Sequence, residues 1–312
     1  DDLGVTHEVT ETLVDVGPLR LPGIVTTCAG VVPRRGLTLS AMGAEVKWGP
    51  GRVFTRAARN LAPSGVATIR ADRSLIGDDI DPDVAREPNP YTDASVADVC
   101  AAVTTLRETL RAQGASSVDV IDGDPALPVA MAGVCAGTWS QMRAAAEQPV
   151  DTLIAVNPVH WNPDASLYTV AFFDHYHGKS APDLNNPPEP GPVGFADLVR
   201  DPKRVVADAK EMFMRDLAIR YPGLRSFMRP DVPVDKVRYL LDDVIGGTRV
   251  HFVLGTEEER IFNGKGGRRA IARASRRGVS VQIEQLGNLD HSLLSEKARR
   301  DTLTLLRRLL TD

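Results

Sequence analysis

Cysteine is scarce in this chain: three residues in 312, at Cys28, Cys100 and Cys135. The number is odd and the spacing wide, so no disulfide framework follows, and no C-x-x-C pair suggests zinc. A reducing, cytoplasmic setting is the default reading. An excess of one charge is lacking too. Lys and Arg number 37 against 41 Asp and Glu, a net charge of −4. That balance gives no argument for nucleic acid or an anionic membrane as partner. The local arginine cluster "GGRRAIARASRRG" at 266–278 reads as a wet helix face. No apolar run approaches the ~18–20 residues that span a bilayer. The glycine runs "GKGG" and "GPG" make neither G-x-G-x-x-G nor a P-loop after a strand, which argues against nucleotide binding. There is no internal repeat and no long low-complexity tract. No secretory leader is visible, yet the chain opens on "DDLGV" without Met. It reads as a processed product, a trimmed chain or a piece of a longer protein, and attachment to a further domain stays open.

What the chain does have is alternation. Strands are expected at 11–17, 21–30, 36–43, 66–72, 150–159, 248–255 and 279–287, with another leading to Cys135. Helices are expected at 51–65, 93–114, 138–148, 266–278 and 295–312. Asp93 or Ser95 is the expected cap of the second helix. A strand, a helix and another strand at 36–72 imply a parallel pair with a crossover. The predicted fold is therefore α/β: a doubly wound, mostly parallel sheet, with two antiparallel strands at the start. The stretch 161–246 breaks the pattern. It is aromatic, then rich in proline, then helical, and reads as a cap inserted into a core formed by 1–160 and 247–312.

The sequence "AGVCAG" places Cys135 between Gly133 and Gly137, where a strand pattern becomes a helix pattern. A nucleophile on such a turn projects from the sheet edge. The helix N-terminus behind it offers N–H groups for a thiolate and for an acyl oxyanion. The tight turn requires small residues two before and two after, and both are glycine; the usual form is G-x-S-x-G. The bland alternative is a buried packing cysteine beside close-contact glycines.

A base and an acid should follow in chain order. His291, in "LGNLDHSLL", lies between the last expected strand and the last helix. It would take the Cys135 proton and return it to the leaving group. "VLGTEEERIF" offers Glu257, Glu258 and Glu259 in an expected loop that begins at Gly255. Glu258 is the chosen acid and Glu257 the alternative; solvated loop charge would look the same. Asp290 is passed over, because neighbouring side chains in a loop diverge. His7 is terminal and His251 lies inside a strand. His160 and Trp161, with Phe172 and Phe173 further along, are candidates for a substrate pocket in the cap, or simply for packing on the sheet. His175 and His177 form a His-x-His pair without a third ligand, so no metal and no cofactor is expected.

With these motifs in hand the chain resembles the α/β-hydrolase superfamily. It is most similar to the exosortase-associated, serine-aminopeptidase-like branch. The matching stretches are "LSAMGAEVKWGPGRVFTRAARNLA", "VATIRADRSLIGDD", "AGVCAG" and the Asn-Pro of "LIAVNPVHW". Three departures stand out. The family's Gly-Asp-Ser is Gly77-Asp78-Asp79 here, Ala136 replaces a serine, and Glu replaces the usual Asp acid. The resemblance implies the α/β-hydrolase fold with a cap. It also implies an oxyanion hole from the Ala136 N–H and a second N–H at Met42 or Gly43. Arg70 and Asp72 read as structural loop anchors. The implied function is a cysteine-dependent acyl hydrolase or thioesterase working through an S-acyl enzyme. Two alternatives remain: an acyltransferase with an alcohol or amine acceptor, and a non-catalytic binding module. The implied partner is a small acyl ester or thioester, free or carrier-bound.

Overall fold

Along Val129–Val134 the apolar side chains alternate between two faces, and every residue of the segment is buried. A strand apolar on both sides needs cover on both sides, and that requirement organises the molecule. The computed structural model describes residues 7–41, 43, 45–74, 76–77, 90–113, 127–158, 161 and 236–311.

The strands are β1 (Val9–Val16), β2 (Leu21–Cys28), β3 (Arg35–Ser40), β4 (Val66–Ala71), β5 (Val129–Val134), β6 (Thr152–Val156), β7 (Arg249–Leu254) and β8 (Ser280–Gln285). They form one sheet in the order β1-β2-β4-β3-β5-β6-β7-β8. β1 pairs antiparallel with β2, and β2 antiparallel with β4. All later pairings are parallel. The mostly parallel, doubly wound sheet with an antiparallel start is the architecture the sequence predicts.

Helices α1 (Val53–Leu61) and α7 (Glu296–Thr311) cover one face, packing on Leu37, Leu39, Ala130, Ala132, Val134, Ile154 and Val253. The other face receives α2 (Asp93–Ala112), α3 (Ala136–Ala144), α4 (Arg238–Leu241), α5 (Thr256–Gly264) and α6 (Gly267–Ser275), through side chains such as Val103, Trp139, Leu240, Phe262 and Ala274. The turn that carries Cys135 leaves the C-terminal edge of the sheet, the edge where parallel α/β sheets build their sites. Among the described residues no helix is long and apolar enough to cross a membrane.

Four local expectations need correction. The glutamate segment after Gly255 is not a loop but the helix α5. Its first turn holds Glu257, Glu258 and Glu259, and three carboxylates there favour the positive end of the helix dipole. The cap of α2 is Thr92, whose hydroxyl accepts from the Ser95 N–H at 3.2 Å, rather than Asp93 or Ser95. The helix after Cys135 begins at once, at Ala136. β6 stops at Val156, because Asn157 turns to a φ of 44°. Of the stretch 161–246, Trp161 and 236–246 are described, and Trp161, Val237, Leu240, Leu241 and Val244 join the core beside α3 and α6.

Candidate active site

Cys135 occupies the turn between β5 and α3 with φ 53° and ψ −118°. That is a costly backbone for a residue with a Cβ, and such strain persists only when the surroundings enforce it. They do so here. The Cys135 N–H donates to the Val156 carbonyl at 2.9 Å, and the Cys135 carbonyl accepts from the Thr138 N–H at 3.1 Å. The Thr138 hydroxyl donates back to the Gly133 carbonyl at 3.0 Å. Neither flanking glycine has room for a side chain. A Cβ on Gly133 would lie 2.7 Å from the Thr138 nitrogen, and one on Gly137 would lie 2.5 Å from the Ala41 carbonyl. The loop leaving β3 and the start of α3 thus touch backbone to backbone beside the turn.

The sulfur is half-buried, packed between the two core faces. Burial pushes the Cys135 thiol up to about 11, while the Ala136 N–H and the charge of Arg73 work in the other direction. Arg73 is itself buried, just beyond β4, and burial draws its guanidinium below the ordinary arginine value. Asp98, Tyr91 and Cys135 oppose that shift. Arg73 also donates to the Gly43 carbonyl, holding the loop after β3 against the site.

Across the sheet edge, Glu258 Oε1 lies 3.1 Å from His291 Nδ1. Glu258 is in the first turn of α5 and His291 in the loop between β8 and α7. A carboxylate only accepts, so Nδ1 carries the hydrogen and Nε2 presents its lone pair in the neutral ring. The imidazole is 41% exposed and the carboxylate 17%. Glu257, the alternative acid, faces outward and bonds Arg260 at 2.6 Å. The Asp290 carboxylate accepts from the Leu294 and Ser295 N–H groups at 2.6 and 3.0 Å, so it closes its own loop rather than orienting His291. Cys135 and His291 are not hydrogen-bonded to each other among the bonds of the described residues.

No family model and no curated protein sequence matches the chain. Solved structures do. A dienelactone hydrolase from Anabaena variabilis is 12% identical, with a TM-score of 0.52 over 97% of each chain. A thermostable carboxyl esterase from Bacillus coagulans is 16% identical, with a TM-score of 0.52 over 98% of each chain. An acylaminoacyl peptidase from Pyrococcus horikoshii gives a TM-score of 0.55 at 12% identity; the match takes in 99% of this chain and 42% of that one. The chain has the α/β-hydrolase fold.

In the order of that fold, Cys135 follows β5, Glu258 follows β7 and His291 follows β8. Ala136 is the first residue of α3, and its N–H is directed at the thiol. Gly43, with φ 39°, is in the loop after β3; Met42 lies outside the described residues. His160, Phe172, Phe173, His175 and His177 also lie outside them. Trp161 is buried in edge-to-face contact with Phe262, ring centroids 6.0 Å apart, with the Lys265 ammonium 4.8 Å from its ring. These contacts pack its ring against α5, and its Nε1 has no hydrogen-bond partner among the described residues. Asp72 accepts from the Lys47 N–H at 2.8 Å and from its ammonium at 2.5 Å, both groups buried. Arg70 pairs with Glu11. Asp72 therefore holds loops together, whereas Arg70, expected as a loop anchor, lies within β4 and ties it to β1 and, through the Thr55 hydroxyl, to α1.

Three residues near the site have contacts that the sequence reading did not assign. Gln141, buried in α3, directs its Nε2 at the Thr38 carbonyl, the Ser40 hydroxyl and the Ala132 carbonyl at 3.1, 2.9 and 3.0 Å. Arg73 and Asn157 are the others. A polar residue at a core position of a predicted helix is the available hint for Gln141; Arg73 stands beside Asp72 with nothing to mark it. Among the described residues no cluster of His, Cys, Asp or Glu is arranged to hold a metal.

Proposed function

We propose that this protein is a cysteine-dependent acyl hydrolase or thioesterase in which Cys135 forms an S-acyl enzyme, His291 is the base and Glu258 orients it. The observation that carries the reading is the strained backbone of Cys135 at the head of α3. A packing cysteine gains nothing from φ 53°, whereas a nucleophile gains exposure beside the helix N–H groups.

The thiol rests protonated, since burial raises it to about 11. Attack therefore requires proton transfer as the sulfur meets the carbonyl carbon. The thiol proton passes to His291 Nε2, and Glu258 stabilises the imidazolium formed. The negative oxygen is received by the Ala136 N–H and by a second N–H from the loop after β3, at Met42 or Gly43. The tetrahedral adduct collapses, and the alcohol or thiol leaves with the proton from Nε2. Water then gives a proton to Nε2 and attacks the S-acyl carbon; the C–S bond breaks, the acid leaves, and Nε2 returns the proton to the Cys135 sulfur. The insertion at 161–246 is the proposed cap over this edge, with a small ester or thioester as substrate.

Turnover of short-chain p-nitrophenyl esters and acyl thioesters tests the assignment. Cys135→Ala should fall to background. His291→Ala and Glu258→Gln should lower kcat by ~10²–10⁴-fold. Glu257→Gln should stay within about twofold, because that side chain is engaged with Arg260 on the surface. Undiminished turnover by Cys135→Ala would end the reading.

A further inference from the structure

The proposed chemistry makes no use of the Asn-Pro that follows β6. Asn157 is fully buried and holds φ 44°, a conformation Asn tolerates better than most residues. Its backbone is fixed on both sides. The Asn157 N–H donates to the Val253 carbonyl at 2.9 Å, and the carbonyl just before it, on Val156, accepts from the Cys135 N–H at 2.9 Å.

From this anchored position the carboxamide reaches two other loops. Its Oδ1 accepts from the Gly255 N–H at 3.1 Å. Its Nδ2 donates to the Asp290 carbonyl at 3.0 Å and to the His291 carbonyl at 3.3 Å. Gly255 is the N-cap of α5, which carries Glu258 in its first turn. Two carbonyls demand a donor and one N–H demands an acceptor, so only one orientation of the amide fits, and an aspartate would fail on two of the three bonds.

The sheet order shows why such a tie is needed. β8, which leads to His291, is three strands from β5, which leads to Cys135. At ~4.8 Å per strand this is ~14 Å, too far for a proton transfer. Asn157 stands one strand from Cys135 and grips the backbone of His291 itself. The histidine loop is thus drawn back across the end of β7 to β6. Gly255 permits the crossing: a Cβ there would lie 2.5 Å from the Leu289 carbonyl and 2.8 Å from Glu258 Oε2.

We infer that Asn157 is a positioning residue whose single carboxamide sets the acid loop against the histidine loop and brings His291 toward the nucleophile. The inference rests on the reading of Cys135, His291 and Glu258 as the catalytic set; Asn157 touches no reacting atom.

Two readouts test it, and one needs no chemistry. In the Cys135→Ala protein, the low-field proton resonance of the His291 Nδ1–H bonded to Glu258 should be present. It should vanish when Glu258→Gln is added and vanish or move upfield when Asn157→Ala is added. In the protein with its cysteine, Asn157→Ala and Asn157→Asp should lower kcat by ~10–100-fold with KM within about twofold, as expected for a displaced base. A folded Asn157→Ala protein that keeps the resonance unmoved overturns the inference, whatever its turnover. Loss of the resonance with kcat unchanged overturns it as well. If neither variant folds, hydrogen exchange of the Asn157 side-chain amide in the unsubstituted protein decides: protection comparable to the β6 backbone is expected, and exchange at the rate of an exposed amide is fatal. A protein with no turnover at all would remove the catalytic assignment, while the resonance would still judge the tie.

Discussion

The Cys135 thiol sits between opposed influences. Burial favours its neutral form and raises it to about 11, while the Ala136 N–H and the Arg73 guanidinium favour the thiolate. Burial wins, so Cys135 rests as a thiol, and in the proposed mechanism His291 acts only when a carbonyl is in place. The consequence for folding has a definite sign. The ordinary value is 9.0, so between 9.0 and about 11 the folded chain keeps a proton that the unfolded chain releases. This thiol's contribution to stability is complete below pH 9.0 and is lost as pH rises through about 11. Alkylation of Cys135 by iodoacetamide, followed by peptide mass to separate it from Cys100, should climb steadily from pH 7 to ~10 without levelling. In urea-unfolded protein the same rate should level above ~9. A plateau near neutrality in the folded protein would show a resting thiolate and contradict the mechanism.

At the scale of elements, the strand, turn and helix around Cys135 act as one device. Gly133 and Gly137 let α3 start against β5 and β3, and Gln141 fastens the same helix to β3 by its amide. Gly137→Ala should therefore do more than crowd the core. Its Cβ meets the Ser40 and Ala41 carbonyls, so β3 and the loop beyond it, the proposed source of an oxyanion N–H, must shift. The expected cost is ~1–3 kcal/mol in urea titration, with loss of turnover well beyond what the stability change explains. Normal turnover in Gly137→Ala would separate the turn from the chemistry. This device is legible in the sequence, because small residues at fixed offsets between a strand pattern and a helix pattern have few other uses. The helix α5 is not. Its glutamates read as loop charge, since the cap is a glycine with no side chain to announce it, and the acidic first turn is favourable only once the helix exists. The cap at Thr92 escapes by one residue for a similar reason: Thr92, Asp93 and Ser95 all carry oxygen acceptors, and only backbone geometry chooses among them.

For the whole molecule, apolar alternation is enough to foretell a doubly wound sheet and its antiparallel start. Local pattern cannot foretell the ties that cross it. Gln141 reaches back to Thr38, Arg73 to Gly43, and Asn157 forward to Gly255, Asp290 and His291. Nothing in the chain near Asn157 marks the residues it bonds, because they are brought to it by the order of strands. The proposed site is thus a property of the C-terminal sheet edge as a unit: a thiol on β5, a base and acid delivered from β8 and β7, and bonds that fold them together. The most direct measurement is the mass of the intact protein a few seconds after mixing with a short-chain acyl thioester, followed by peptide mapping. One acyl group on the peptide containing Cys135, absent in Cys135→Ala and formed far more slowly in His291→Ala, is the expected result. An acyl group on Cys100 or another residue, or turnover with no dependence on Cys135, would contradict it.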